Sequence, residues 1–137
     1  MARLRGTVET CLYVDDLERA AAFYSDVLGM RAMTGDERFR ALEIAPGHVL
    51  LLFVRGGTLE PVDTGNGIIP PHDGGGPVHV GFAIDLADLV EWERRLAEHR
   101  VPLESRVARP RGGRSIYFRD PDGHLVELLT PGVWPNY

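Results

Sequence analysis

The most constraining feature of the sequence is that one pattern of predicted elements occurs twice, at an offset of roughly 70 residues. Residues 7–14 alternate between two faces as a strand does, and apolar residues at helical spacing follow from Leu17 to Leu28. Gly29 is suited to ending that helix, and further strands are predicted between about 30 and 55. The order predicted for the first copy is therefore strand, helix, strand, strand, strand.

The same order restarts after a long segment, residues 56–77, which holds most of the turn-forming glycines and prolines. A segment of this length without periodicity is typical of a linker or a functional loop. The second copy has a strand at 78–84, a helix from Asp85 to about His99, and strands near 102–107, 114–119 and 124–130. The sequence therefore predicts a single α+β domain built from two βαβββ modules, about 7–55 and about 78–131, which pair rather than stack as a solenoid.

Composition excludes several classes of protein. The formal net charge of -5 is spread over both halves without a basic cluster, which argues against a nucleic-acid partner. No apolar run approaches about 18 residues, and the first residues lack the apolar core of a signal peptide, so no membrane partner is expected. Cys11 is the lone cysteine, which fits a reducing compartment. We expect a cytoplasmic protein.

Three side chains in the predicted strands are candidate metal ligands. Glu9 and His79 occupy matching places in the first strands of the two copies, so a pseudo-twofold axis would bring them face to face. Glu127 lies in the last strand among apolar neighbours. Two buried carboxylates on one face would repel each other unless a cation lay between them. The pattern therefore favours a metal site at Glu9, His79 and Glu127.

Strand alternation gives this face an apolar lining. Cys11 and Tyr13 share it with Glu9, and the small Gly81 and Ala83 share it with His79. Leu51 and Phe53 belong to the equivalent face of the first copy. An apolar cavity with a few convergent polar groups is the usual composition of a small-molecule site. Spacing alone leaves open a simpler interpretation, with solvated glutamates and a hydrogen-bonded core histidine.

Four segments together resemble the vicinal oxygen chelate superfamily, which includes glyoxalases, extradiol dioxygenases, and the fosfomycin and bleomycin resistance proteins. The segments are YVDDLERA at 13–20, FYSDVLG at 23–29, HVGF at 79–82 and YFRDPDGHLVEL at 117–128. The resemblance implies a cup-shaped, barrel-like mixed sheet with the helices outside, around one divalent metal ion. It also implies a small-molecule substrate and a homodimer. Carried onto this sequence, it places the metal at Glu9, His79 and Glu127.

The sequence departs from the family pattern at two positions. The first-strand ligand, often histidine in the family, is Glu9, and the fourth ligand position of the glyoxalases is Leu51, which cannot coordinate. A three-ligand site leaves open positions for two neighbouring substrate oxygens. Two carboxylates and one imidazole form a hard ligand set, which suits Mn, Mg, Zn or Fe and disfavours ring-cleaving dioxygenase chemistry.

The resemblance implies a metal-dependent enzyme of the lyase or isomerase type that chelates a small oxygenated metabolite, with Glu9 or Glu127 as the base. His72 in the central loop is a candidate lid residue and acid or base. The alternative is a metal-free drug-binding protein of the bleomycin-resistance type. Candidate substrate contacts for these two functions are Tyr13, Phe53, His72, Arg114 and Tyr117.

Overall fold

In the computed structural model, which describes residues 1–137, each copy of the repeated pattern forms its own four-stranded mixed sheet. The chain divides into a first unit, residues 1–75, and a second unit, residues 76–137. The predicted α+β class and the order of elements are confirmed in both units. The expectation that the two sheets form one cup-shaped surface stays a prediction.

The first unit follows the order strand, helix and three strands. Its elements are β1 (Glu9–Val14), α1 (Leu17–Asp26), β2 (Arg31–Gly35), β3 (Phe39–Ala45) and β4 (His48–Val54). The Asp16 side chain accepts a hydrogen bond of 3.0 Å from the Arg19 amide and so caps α1. Gly29 adopts a positive φ of 74° just beyond the helix, a conformation that glycine tolerates without strain. The strand order is β1-β4-β3-β2, with β1 parallel to β4.

The long loop after β4 belongs mostly to the first unit and contains a short hairpin of β5 (Val62–Asp63) and β6 (Ile68–Ile69). Its two ends are joined around His72, whose amide donates to the carbonyl of Thr58 over 2.9 Å. The Thr58 hydroxyl donates back to the carbonyl of His72. This segment is therefore ordered by its own hydrogen bonds.

The second unit repeats the arrangement. Its elements are β7 (His79–Ala83), a 3₁₀ turn (Leu86–Asp88), α2 (Leu89–Glu98), β8 (Ser105–Ala108), β9 (Arg114–Arg119) and β10 (Leu125–Leu129). The strand order is β7-β10-β9-β8, with β7 parallel to β10. The predicted helix start at Asp85 is wrong by one turn, because Asp85 makes no side-chain cap and precedes the 3₁₀ turn.

One face of each sheet supplies the hydrophobic core. In the first unit Leu12, Leu50 and Leu52 are almost completely buried, as is Tyr24 of α1. In the second unit the equivalent buried residues are Val80, Phe82, Val126 and Leu128 from the parallel strand pair, with Leu96 from α2. Each such side chain stabilises the fold by about 1.5–3 kcal/mol. Because strand side chains alternate, the opposite face of each sheet is left for the candidate site residues.

None of the helices combines the length and the apolar character that crossing a membrane would require.

Candidate metal pair and a cavity in the first unit

His79 and Glu127 meet on the free face of the second sheet. Their strands, β7 and β10, are parallel neighbours, and the register pairs His79 with Leu125 and Glu127 with Gly81. The two side chains are therefore diagonal neighbours on one face. His79 Nε2 lies 3.2 Å from Glu127 Oε1. Gly81 has no side chain to fill the space between them.

The hydrogen bond of His79 Nδ1 determines whether Nε2 presents a hydrogen or a lone pair to Glu127. Nδ1 lies 3.0 Å from the carbonyl oxygen of Leu125, which can only accept, so Nδ1 carries the hydrogen. In a neutral imidazole, Nε2 then presents a lone pair towards a carboxylate oxygen, which also has only lone pairs when ionised. Two electron-rich atoms at this distance need a proton or a cation between them.

This geometry fits a divalent ion. Metal-bound histidines commonly donate their other ring N–H to a backbone carbonyl, as His79 does to Leu125. With ligand distances near 2.1 Å, two donors on one ion lie about 3.0–3.4 Å apart between octahedral and tetrahedral angles. The separation of 3.2 Å falls within this range.

Glu127 is the buried member of the pair, with 6% of its surface exposed. Its Oε2 atom is buried and has no hydrogen-bond partner. The nearest cation to Oε2 is Arg109, whose Nη2 lies 3.9 Å away and donates a 2.9 Å hydrogen bond to the Tyr117 hydroxyl. Oε2 therefore has lone pairs available for a further partner. A buried carboxylate is costly without charge compensation, so a cation at this position would stabilise it.

Arg109 was not among the sequence-predicted site residues. It lies just after β8, in a stretch with several other arginines, and nothing in the composition distinguishes it from them. The register of β8 and β9 pairs Val107 with Ser115 and Ser105 with Tyr117. Alternation along β8 then carries Arg109 to the face of Tyr117. That signal exists only once the register is known.

The predicted substrate contacts of the second unit are divided by the structure. The Tyr117 ring lies 6.3 Å from the His79 ring, measured between centroids, and so belongs to the surroundings of the His79–Glu127 pair. The Arg114 guanidinium instead bonds to the carbonyls of Gly112 and Gly113 in its own loop. Besides His79, the surroundings of Glu127 therefore include Arg109, 3.9 Å from Oε2, and Tyr117, its partner in the β9–β10 register.

Glu9 lies in the first unit, on the β1 face that also holds Cys11 and Tyr13. Its side chain is exposed in the single chain, so the argument from costly burial applies to Glu127 and not to Glu9. No group of three or more His, Cys, Asp and Glu side chains in one chain is arranged to hold a metal ion. Burial, and secondarily the charge of Glu9, raises the pKa of the Cys11 thiol, which is therefore neutral at neutral pH.

Glu9 borders a cavity of about 230 Å³ that is formed within the first unit. Its lining residues come from the first sheet, from the turn between β2 and β3 (Arg38) and from the long loop: Glu9, Arg38, Phe39, Leu51, Phe53, Thr58, Glu60, Val62, Ile69, Pro70 and His72. Of the predicted first-unit contacts, Phe53 and His72 therefore line this cavity together with Glu9.

Tyr13, another predicted substrate contact, holds the loop against the sheet. Its hydroxyl lies 2.5 Å from Nδ1 of His72, and the His72 ring meets the Phe53 ring edge to face with centroids 4.7 Å apart. A Cβ on Gly74 would overlap the Tyr13 ring at 2.3 Å, so any larger residue there would have to displace that ring. Burial is the main cause that raises the pKa of Tyr13, which keeps its phenol protonated at neutral pH.

Comparison with known proteins identifies the class. The model of the Glyoxalase/Bleomycin resistance protein/Dioxygenase superfamily matches residues 6–128. The chain belongs to this superfamily, and the predicted resemblance is confirmed.

The named proteins that this chain resembles include a transferase, a lyase and a resistance protein. The metallothiol transferase FosB of Staphylococcus epidermidis is 31% identical over 121 residues, which cover 88% of this chain and 78% of the relative. A crystal structure of lactoylglutathione lyase from Agrobacterium tumefaciens superposes with a TM-score of 0.87 at 32% identity, covering 98% of this chain and 99% of that one. The fosfomycin resistance protein FosX from Mesorhizobium loti superposes with a TM-score of 0.65 at 26% identity, with 96% of each chain covered.

Proposed function

We propose that the protein is a divalent-metal-dependent enzyme that acts on a small oxygenated metabolite through two neighbouring oxygens. The observation that carries the proposal is the His79–Glu127 pair, in which Nε2 faces Oε1 at 3.2 Å while Nδ1 is committed to a backbone carbonyl. A metallothiol transferase among the relatives supports a metal in this superfamily member. The metal ligands in this proposal are His79, Glu127 and Glu9, and the metal is Mn, Mg, Zn or Fe.

When bound, a divalent ion supplies Lewis-acid stabilisation of an oxyanion as it develops on the substrate. The side chains of this chain provide the rest. The Leu125 carbonyl holds the imidazole of His79 in one tautomer and orientation. In this proposal Glu127 or Glu9 would take up the proton from the substrate carbon, since both would be ligands of the ion. Arg109 and Tyr117 form a positively charged, hydrogen-bonding border that accepts negative charge on the substrate.

The second-unit pair tests the proposal directly. His79→Ala and Glu127→Gln proteins are expected to bind no stoichiometric Mn²⁺ or Zn²⁺ after dialysis, whereas the wild type retains about one ion per site. His48→Ala is the matched control, because His48 is an exposed histidine of β4 outside the site. Elemental analysis and calorimetric titration measure the binding. Equal metal content in the wild type and in His79→Ala would overturn the proposed function.

Glu9 belongs to the first unit. In a homodimer, the Glu9 of a site comes either from the chain that supplies His79 and Glu127 or from the other chain. Mixing two defective proteins separates the possibilities, as each chain of Glu9→Gln retains His79 and Glu127 while each chain of His79→Ala retains Glu9. If sites form across two chains, unfolding and refolding the mixture restores metal binding to about a quarter of the sites, from random pairing of chains. If the ligands come from one chain, no binding returns. Recovery with neither variant binding alone would therefore establish a shared site.

Activity assays of the metal-loaded protein with two substrates distinguish the possible reaction classes. We place it with lyases and isomerases, supported by the likeness to a lactoylglutathione lyase. The corresponding assay follows a hemithioacetal made from methylglyoxal and a thiol. Thiol addition to the epoxide of fosfomycin is the competing assay, since the relatives include FosB and FosX. Turnover of the epoxide alone would move the protein to the transferase class.

The second candidate function is a metal-free small-molecule or drug-binding protein, which is favoured by the aromatic lining of the first-unit cavity. Phe39 and Phe53 lie with ring centroids 6.0 Å apart, and Phe53 also contacts Tyr13. Thermal denaturation with and without a chelator separates the two functions, because a ligand that binds only the folded state raises its stability. A melting temperature unaffected by the chelator and raised by an aromatic drug would favour the binder.

A further inference from the structure

We infer that the first-unit cavity holds an apolar arm of the substrate, an aryl or branched alkyl group that extends from the two chelated oxygens. The inference rests on the proposed function, because Glu9, a proposed metal ligand, borders the cavity. The inference assigns the substrate to a class, oxygenated metabolites with one apolar substituent. The His79–Glu127 pair alone does not specify this class.

The interior of the cavity is suited to hydrocarbon. Its apolar lining is provided by Phe39, Leu51, Phe53, Val62, Ile69 and Pro70. The polar Thr58 of the lining is 2% exposed, and its hydroxyl is already used by the His72 carbonyl. Apolar walls with few free polar groups bind hydrocarbon and exclude charged groups.

The wall opposite the sheet is held in place by contacts within the first unit. His72 is fixed by the Tyr13 hydroxyl and by the paired backbone and side-chain bonds to Thr58. Its ring lies edge-on to Phe53 at 4.7 Å between centroids. A cavity whose wall is already ordered costs a ligand little entropy to occupy.

The volume sets the size of the arm. The cavity measures about 230 Å³, which is smaller than the roughly 300–1,000 Å³ of pockets that enclose a drug-sized ligand. A space of this size suits a single apolar substituent, such as a phenyl ring or a short branched chain, better than a drug-sized ligand.

Leu51 is the lining residue with the clearest relation to the family pattern. The family resemblance puts a fourth metal ligand of glyoxalases at this position, and in this chain leucine lines the cavity instead. Cys11, two residues after Glu9, is the β1 partner of Leu51 in the sheet register. The charged border of the cavity consists of Glu9, Arg38 and Glu60. An arm entering past Glu9 therefore meets Leu51 and then the aromatic rings.

Two α-keto acids that share the same chelating oxygens test the inference. Phenylglyoxylate carries an aryl arm, and glyoxylate has hydrogen in its place. Calorimetry on the Mn²⁺-loaded protein is expected to show phenylglyoxylate binding at least about tenfold more tightly, from burial of the ring. Equal affinities for the two acids would overturn the inference.

Variants at Leu51 locate the effect. Leu51→Trp fills the cavity and is expected to reduce the difference between the two acids to less than about twofold. Leu51→Met, which conserves volume, is the matched control and is expected to keep it. Thermal denaturation of both variants verifies folding. A tenfold preference that survives Leu51→Trp would place the aryl group outside the cavity and overturn the inference.

A metal-free probe separates this inference from the proposed function. Benzyl alcohol has no chelating oxygen pair, and its binding to wild-type protein without metal is followed by NMR shifts of the Val62 and Ile69 methyl groups, which line the cavity and are present in both proteins. Binding is expected at millimolar concentrations and should be lost in Leu51→Trp. Failure of glyoxylate to bind while benzyl alcohol still binds counts against the proposed function. Failure of benzyl alcohol to perturb the Val62 and Ile69 methyl groups of the wild type counts against the inference.

Discussion

The two units have the same strand order but carry different side chains at equivalent positions. The parallel strand pairs β1–β4 and β7–β10 match, so that Glu9 corresponds to His79 and Leu51 corresponds to Glu127. The second unit brings its pair to 3.2 Å, whereas in the first unit the equivalent residues line an apolar cavity. The loop that closes this cavity follows β4, whereas residues 130–137 after β10 form short turns.

The difference teaches that one scaffold supports two kinds of chemistry. The back faces of both sheets are apolar and interchangeable in character, because they bury against a helix. The free faces are not constrained by the core, so the second carries the His79–Glu127 pair, whereas the first carries Leu51 and Phe53 beside Glu9. In the proposed function the second unit supplies two of the three metal ligands, and in the further inference the first unit accepts the substrate arm.

The largest effect is expected from the back faces, where the two units should behave alike. Leu52 and Leu128 are equivalent residues, with exposures of 0% and 2%. Truncation of either to alanine is expected to lower the free energy of unfolding by about 2–5 kcal/mol, since each leaves a cavity. Chemical denaturation followed by circular dichroism measures both. A loss below about 1 kcal/mol in only one variant would show that the two cores are not equivalent.

Substitutions on the free face of the second unit should break the symmetry between the units. His79→Ala and Glu127→Gln are expected to weaken Mn²⁺ binding at least about 100-fold. Mutation of a residue that only hydrogen-bonds to a metal ligand lowers metal affinity about 10–100-fold, and loss of a ligand itself should have the larger effect. The equivalent first-unit change, Leu51→Ala, is expected to leave the metal affinity within about twofold, as leucine is not a ligand. Competition titration against a metal-sensitive dye measures all three.

Making the first unit resemble the second sharpens the comparison. Leu51→Glu puts a carboxylate where Glu127 stands in the other copy, inside an apolar lining. Without metal, the free energy of unfolding is expected to fall by about 1–3 kcal/mol, from desolvation of the new carboxyl group. Saturating Mn²⁺ should recover part of this loss if the new group joins the metal site. Denaturation with and without Mn²⁺ decides this, and Leu51→Gln is the uncharged control.

The smallest effect concerns the ion pairs that join each helix to its sheet. In the second unit Arg106 binds both carboxylate oxygens of Glu93, at 3.0 and 2.8 Å, and this hydrogen bonding lowers the pKa of Glu93. In the first unit Glu18 and Arg40 also join the helix to the sheet, at β3 rather than at the edge strand. Because the pKa is lowered on folding, the Glu93 contribution is present at neutral pH and is lost as pH falls through its folded-state pKa.

Glu93→Gln is therefore expected to lower stability by a few tenths of a kcal/mol at pH 7, about the usual value for an exposed pair. The difference from the wild type should disappear once the pH is well below the pKa of the carboxyl group. Urea denaturation at a series of pH values measures this. A difference that persists at acidic pH would show that Glu93 acts through packing rather than charge.

The repeat was the part of the fold that the sequence predicted best. Periodicity located all eight main strands and both helices, because alternation and helical spacing are local properties. The prediction was wrong at Asp85, where the chain first makes a 3₁₀ turn. It also did not foresee the β5–β6 hairpin, whose strands of two residues are too short to show a period.

The candidate site was predicted in part. Alternation assigned His79 and Glu127 to one face, and their proximity is observed. Arg109 was missed, because its approach to Glu127 depends on the β8–β9 register and on a loop conformation. The joining of Glu9 to the pair stays a prediction, since it requires an arrangement of units that local patterns do not encode.

The sequence by itself determined the doubled βαβββ order, the superfamily and the faces on which the candidate residues lie, because these follow from side-chain periodicity and short motifs. Only the tertiary structure decided that Glu127 is buried with an unpartnered oxygen beside Arg109, and that His72 closes a cavity over Leu51 and Phe53. These contacts join residues distant in the chain, and their energies depend on burial and distance rather than on the order of amino acids.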